Sequence, residues 1–119
     1  MLPVTPLPPS TDLAYLLGVI TGDGCITRAG RTYKLEIACD AAYPDLIECY
    51  DQLITRVTGL KVSTYRVRGR RCYRVVTWST ALPVILGIPS GSKAHNGYAI
   101  PEWIFEQTDF TKALVKGLI

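Results

Sequence analysis

A chain of 119 residues with 48% hydrophobic and 19% charged residues is long enough for one domain with a real hydrophobic core and too apolar for global disorder. Its formal net charge of +3 names no partner by itself, and no apolar run reaches the ~18 residues needed to span a membrane. The first nine residues are rich in proline and carry no basic segment, so no signal peptide is expected. Residues 1–11 read instead as an extended arm, with a single domain over 12–119.

The cluster Ser10-Thr11-Asp12 predicts a helix start. Leu13-Ala14-Tyr15-Leu16-Leu17-Gly18-Val19-Ile20-Thr21-Gly22 follows, apolar on nearly every side, and Asp23-Gly24 ends it. Such a helix must be buried on several faces. Residues 25–29 and 32–39 read as a hairpin turned at Ala29-Gly30-Arg31, with Tyr33, Leu35 and Ile37 alternating against Lys34 and Glu36. Pro44 opens a second helix, carried by Leu46, Ile47, Tyr50, Leu53, Ile54 and Val57 and stopped at Thr58-Gly59. A second hairpin has strands near 60–67 and 71–78, around Arg68-Gly69-Arg70. Residues 79–87 read as a short helix and Pro89 to Pro101 as a loop. Glu102-Trp103-Ile104-Phe105 reads as a helical turn, and a last helix runs from Thr108-Asp109 to Ile119. The order α-β-β-α-β-β-α implies an α+β fold: one four-stranded antiparallel sheet, helices on one face, the other face free for a ligand. Trp78 and Trp103 read most simply as core anchors, and His95 receives no role.

Charge is unevenly spread. From Lys61 to Arg74 stand five arginines and one lysine with no acid, while Asp40 to Asp51 holds four acids and no base. A local positive surface on a nearly balanced molecule suits a polyanion, although a solvated hairpin has the same look. Cys25, Cys39, Cys49 and Cys72 show no C-x-x-C spacing, and His95 is far from them in sequence. That argues against zinc and for reduced thiols in an intracellular protein.

Ala14, Gly18 and Gly22 repeat at i, i+4, i+8 and share one helix face, and Ala113 and Gly117 repeat the spacing in the last helix. Small residues in a row admit a second helix backbone. Asp23 stands at the C-terminal end of its helix, where the macrodipole disfavours a carboxylate. A bound divalent cation would reverse that penalty; a plain capping turn at Asp-Gly is the other explanation.

Leu16-Leu17-Gly18-Val19-Ile20-Thr21-Gly22-Asp23-Gly24 resembles the nine-residue motif of the LAGLIDADG homing-endonuclease family, with Thr21 where the family often has a first aspartate. The αββαββα order is similar to that family too. So are Ile88-Pro89-Ser90-Gly91-Ser92-Lys93 and Ile100-Pro101-Glu102-Trp103-Ile104, while Val115-Lys116-Gly117-Leu118-Ile119 looks like the first half of a second motif. The resemblance implies a site-specific nuclease for double-stranded DNA. Asp23, helped by the Gly22 carbonyl, would hold Mg²⁺ or another divalent cation, and Lys93 would approach the reacting phosphate unless it is only a surface lysine. It implies DNA contacts from Arg28, Lys34, Glu36, Arg66, Arg68, Arg70, Arg71 and Arg74 on the open side of the sheet. It also implies a partner across Ala14, Gly18 and Gly22: a second copy forming a homodimer through the first helix, or a C-terminal half supplying the second acid. A non-catalytic DNA-binding relative or an RNA-splicing maturase of the same fold are the alternatives. One departure stands out: Cys39 and Asp40 occupy the stretch where the family often places Gln, Lys or Arg to order water.

Overall fold

The computed structural model describes residues 7–87 and 101–118. Helix α1 spans Thr11–Asp23, and its first turn is closed by Ser10, whose hydroxyl oxygen accepts the Leu13 N–H at 3.0 Å. Leu7 is tied down ahead of it, its N–H donating to the Ile85 carbonyl at 2.9 Å. Strands β1 (Gly24–Ala29) and β2 (Thr32–Asp40) follow, turned at Gly30 and Arg31. Gly30 takes a φ of 65°, the left-handed conformation that such a tight turn demands and that glycine adopts without cost.

Helix α2 covers Pro44–Thr58 and stops at Gly59, also left-handed. Strands β3 (Val62–Arg66) and β4 (Cys72–Ser79) form the second hairpin, and α3 is a short helix over Leu82–Leu86. After the undescribed segment comes a 3₁₀ turn, Glu102–Phe105, then α4, Thr108–Leu118. The Thr111 hydroxyl donates to the Ile104 carbonyl at 2.8 Å and joins these two.

The sheet is antiparallel throughout in the order β1-β2-β4-β3. The α+β class, the single sheet and the helix succession therefore stand as the sequence predicted. Strand parity divides the sheet into two unlike faces. Ile26, Leu35, Ile37, Cys39 and Val75 turn inward and join Leu16, Val19 and Ile20 of α1, Leu53 and Ile54 of α2, Leu82, Leu86, Ile104 and Leu114 in one buried cluster. Each large side chain so enclosed stabilises the fold by about 1.5–3 kcal/mol. Seven residues of α1 are buried, which is why it needs apolar residues on every side. Among the described residues no helix is long and apolar enough to cross a membrane.

Candidate nucleic-acid interface and helix-end site

Two features of the fold bear on function: the seam between α1 and α4, and the face of the sheet that no described helix covers.

At the seam, glycine is required by contact rather than by backbone angle. A Cβ built on Gly18 would lie 2.1 Å from the Leu114 carbonyl oxygen, and one on Gly117 would lie 2.3 Å from the Tyr15 carbonyl oxygen. At Gly22 the nearest atom would be the Leu118 carbonyl oxygen at 3.3 Å. Residue numbers rise together along both helices, 18 against 114 and 22 against 118, so the helices run parallel. Their C-terminal ends, both negative poles of helix dipoles, lie side by side. Ala14 is fully buried farther back on the same row of α1.

This seam fills the small-residue face of α1 from within the chain. Within the chain, the partner of the Ala14, Gly18 and Gly22 row is α4.

Asp23 closes α1 and is exposed. A Cβ on Gly24, the next residue, would meet the Ile20 Cα at 2.7 Å. Gly24 caps α1 with extended backbone and opens β1 at once, so Asp23 stands at the junction of the helix and the sheet. Burial pushes the Cys39 thiol up to about 11, with the charges of Cys72 and Asp23 adding to the effect. Burial likewise pushes the Tyr50 hydroxyl up to about 12, helped by Tyr15, Cys39, Asp23 and Cys49. Asp23 thus lies within electrostatic reach of the C-terminal part of β2. Gly22, the expected second donor, is exposed beside it.

Mg²⁺ commonly uses one or two carboxylates together with phosphate oxygens. Among the described residues no group of three His, Cys, Asp or Glu side chains could hold a metal ion. Asp23 and the Gly22 carbonyl would need further donors from outside the described residues to hold such an ion. Lys93 lies outside the described residues.

The uncovered face displays Cys25, Thr27 and Ala29 of β1, Lys34, Glu36, Ala38 and Asp40 of β2, Cys72, Arg74, Val76 and Trp78 of β4, and Ser63 and Tyr65 of β3, as the strand register requires. Lys34, Glu36 and Arg74 stand where the sequence placed them. Glu36 is their hub: Lys34 Nζ is 3.0 Å from its Oε2, and Arg74 is bonded to its Oε1. Burial alone would raise the Glu36 carboxyl, but the hydrogen bonds and charges of Lys34 and Arg74 outweigh it and hold the group below the ordinary range.

Three other residues are corrected by register. Arg28 pairs with Tyr33 and shares the parity of Ile26, and Arg66 pairs with Tyr73 and shares the parity of Val62. Both therefore start from the helix-bearing side, at strand ends where their long side chains remain exposed. Arg28 Nε donates to the Gly30 carbonyl at 3.2 Å and Arg66 Nε to the Arg70 carbonyl at 3.4 Å, so each braces its own turn. Trp78 is not a core anchor: it is 48% exposed on the open face. Its neighbour Thr77 takes the inward position, fully buried, its hydroxyl donating to the Lys61 carbonyl at 2.7 Å. Trp103 does pack against the core, edge-on to Phe110 at 5.1 Å between ring centres.

Arg68, Arg70 and Arg71 are exposed in the β3–β4 turn. With Arg66, Val67 and Gly69 they line a shallow pocket of about 400 Å³. A phosphate entering it would meet arginine from several sides.

No protein-family model matches this chain. No curated protein matches it either.

Proposed function

We propose that the chain is a LAGLIDADG-type DNA-binding half, reading one half-site of double-stranded DNA with the open sheet face and the arginine-rich β3–β4 turn. One observation carries the reading. Two parallel helices touch backbone to backbone through Gly18 and Gly117 and bring their ends, with Asp23, to the margin of a sheet whose far face no described helix covers.

The likeness of the two helices supports it further. Setting Leu16-Leu17-Gly18-Val19 against Val115-Lys116-Gly117-Leu118 pairs Leu16 with Val115 and Val19 with Leu118. Leu16 and Val19 are fully buried against the sheet, whereas Val115 and Leu118 are exposed. The outer face of α4 is thus an apolar counterpart of α1 without a sheet over it, the place for a second half. In this reading the second half supplies the second carboxylate, and Mg²⁺ is a cofactor of the completed two-acid site. A non-catalytic DNA-binding role is the second reading, favoured by the lack, among the described residues, of any group of three His, Cys, Asp or Glu side chains that could hold a metal ion.

The test is binding of a duplex pool across 50–200 mM salt, followed by cleavage assays with Mg²⁺. The logarithm of affinity should fall linearly with the logarithm of salt. Removing Arg68, Arg70 and Arg71 should flatten the slope by about 0.9 for each phosphate no longer neutralised. A slope unchanged by the triple substitution refutes the interface. Cleavage abolished by Asp23→Asn supports a nuclease; binding without cleavage supports the second reading, and preference for a structured RNA supports a splicing role.

A further inference from the structure

The open face carries two large aromatic side chains that are about half exposed. Trp78 is 48% and Tyr65 44% exposed. Trp78 belongs to β4, an inner strand, so its exposure is not an edge effect. Each ring has a cation as its cross-strand neighbour: Lys34 pairs with Trp78, and Arg74 pairs with Tyr65. Both cations are held by Glu36, so they stand beside the rings instead of sweeping through solvent. Between the rings lies Val76, fully buried although it belongs to the open face and not to the main core cluster. The result is a face with an exposed ring at either end and a tethered cation cross-strand from each ring.

We propose that this platform binds single-stranded nucleic acid by stacking unpaired bases on Trp78 and Tyr65. The inference rests on the open face being a nucleic-acid surface and specifies a strand state that surface accepts. Spacing favours unpaired bases. The register partner of Tyr65 is Arg74, four residues from Trp78, so the rings are about 14 Å apart along and across the strands. Bases in a duplex follow one another at about 3.4 Å per strand and expose only their edges. They cannot lay a face on either ring. A strand with splayed bases can lay one base on each ring, with intervening nucleotides passing over the exposed Ser63, while Lys34, Arg74 and the turn arginines follow the phosphates.

The experiment is fluorescence anisotropy of the full chain with four labelled ligands at one salt concentration. They are a short oligodeoxythymidylate, the matching oligouridylate, an abasic deoxyribose-phosphate strand of equal length, and a duplex. The base-bearing single strands should bind at least 5-fold more tightly than the abasic strand. Trp78→Ala and Tyr65→Ala should each weaken them about 5- to 100-fold, the range of one base–aromatic stack, while leaving abasic binding unchanged. Tyr65 lies on the edge strand, so its variant serves if Trp78→Ala folds poorly. The preference between the two base-bearing strands identifies the sugar. Equal binding of abasic and base-bearing strands, or no loss in either variant, overturns stacking; duplex binding that persists in that case leaves the DNA-reading proposal standing. No binding to any of the four ligands overturns both.

Discussion

Substituting Gly18 with alanine tests the helix seam at its tightest point. The new Cβ would lie 2.1 Å from the Leu114 carbonyl oxygen and 3.1 Å from the Gly117 Cα. Both are backbone atoms, so no rotamer change clears them. Restoring ordinary contact means moving α4 outward by a little over 1 Å, which loosens Leu114 along with it. Overpacking of this kind costs about 1–3 kcal/mol and occasionally more, and a clash with main chain belongs at the upper end. Alanine returns up to about 1 kcal/mol of helix propensity, so a net loss of about 1–3 kcal/mol is expected. Gly22→Ala is the internal control. Its nearest contact is 3.3 Å, and the same propensity gain should leave it within about 0.5 kcal/mol of the parent or slightly more stable. Urea denaturation with a common m-value reads both changes. If Gly18→Ala matches Gly22→Ala within error, the close parallel seam does not exist in solution and the helix-end site loses its basis.

Further outcomes follow from the charged groups. Glu36 has a lowered folded pKa. Its stability contribution is therefore complete above the unfolded value and lost as pH falls through the lower folded value. Acid unfolding should show this loss in the parent and not in Glu36→Gln, which should also cost about 1–3 kcal/mol at neutral pH through its hydrogen bonds to two cations. Cys39 and Tyr50 have raised values, to about 11 and about 12. The sign is opposite: their contribution is complete below the unfolded values and declines as pH rises through the folded ones, so denaturant midpoints should fall above about pH 9. Cys39→Ala at pH 10 should lose part of that decline; an unaltered profile would mean the thiol is not enclosed. Asp23→Asn should raise stability by about 0.3–1 kcal/mol at low salt, because it removes a negative charge from a negative helix pole. A destabilisation measured by the same melts would show that the carboxylate has a structural partner.

Much of this was legible from residue patterns because each signal had a local physical cause. Ser10 announces α1 through its hydroxyl, Gly30 and Gly59 mark reversals that need a left-handed residue, and the row of Gly18 and Gly22 marks an approaching helix. Strand parity was harder. In β1 one large inward side chain, Ile26, must fix which way Arg28 points, and the three residues after it are all exposed. In β4 the habit of burying the larger apolar side chain selects Trp78, yet the pairing of Leu35 with Thr77 turns threonine inward. A hydroxyl can occupy that place because the Lys61 carbonyl accepts its proton. The exposed aromatic platform was missed for the same reason: a tryptophan in a strand looks like core until register assigns its side. The occupied face of α1 was harder still, since a small-residue row states that a helix will dock but not whether it comes from the same chain.

The alternation of the strands has an evolutionary consequence. Residues that keep the domain folded and residues that meet the outside world succeed one another along the same backbone and rarely share a neighbour. Positions such as Thr27 and Ser63 can drift, or be randomised in a library, without opening a void under the helices. Single substitutions on this face then carry a small thermodynamic toll, the tethered trio around Glu36 being the exception that resists change.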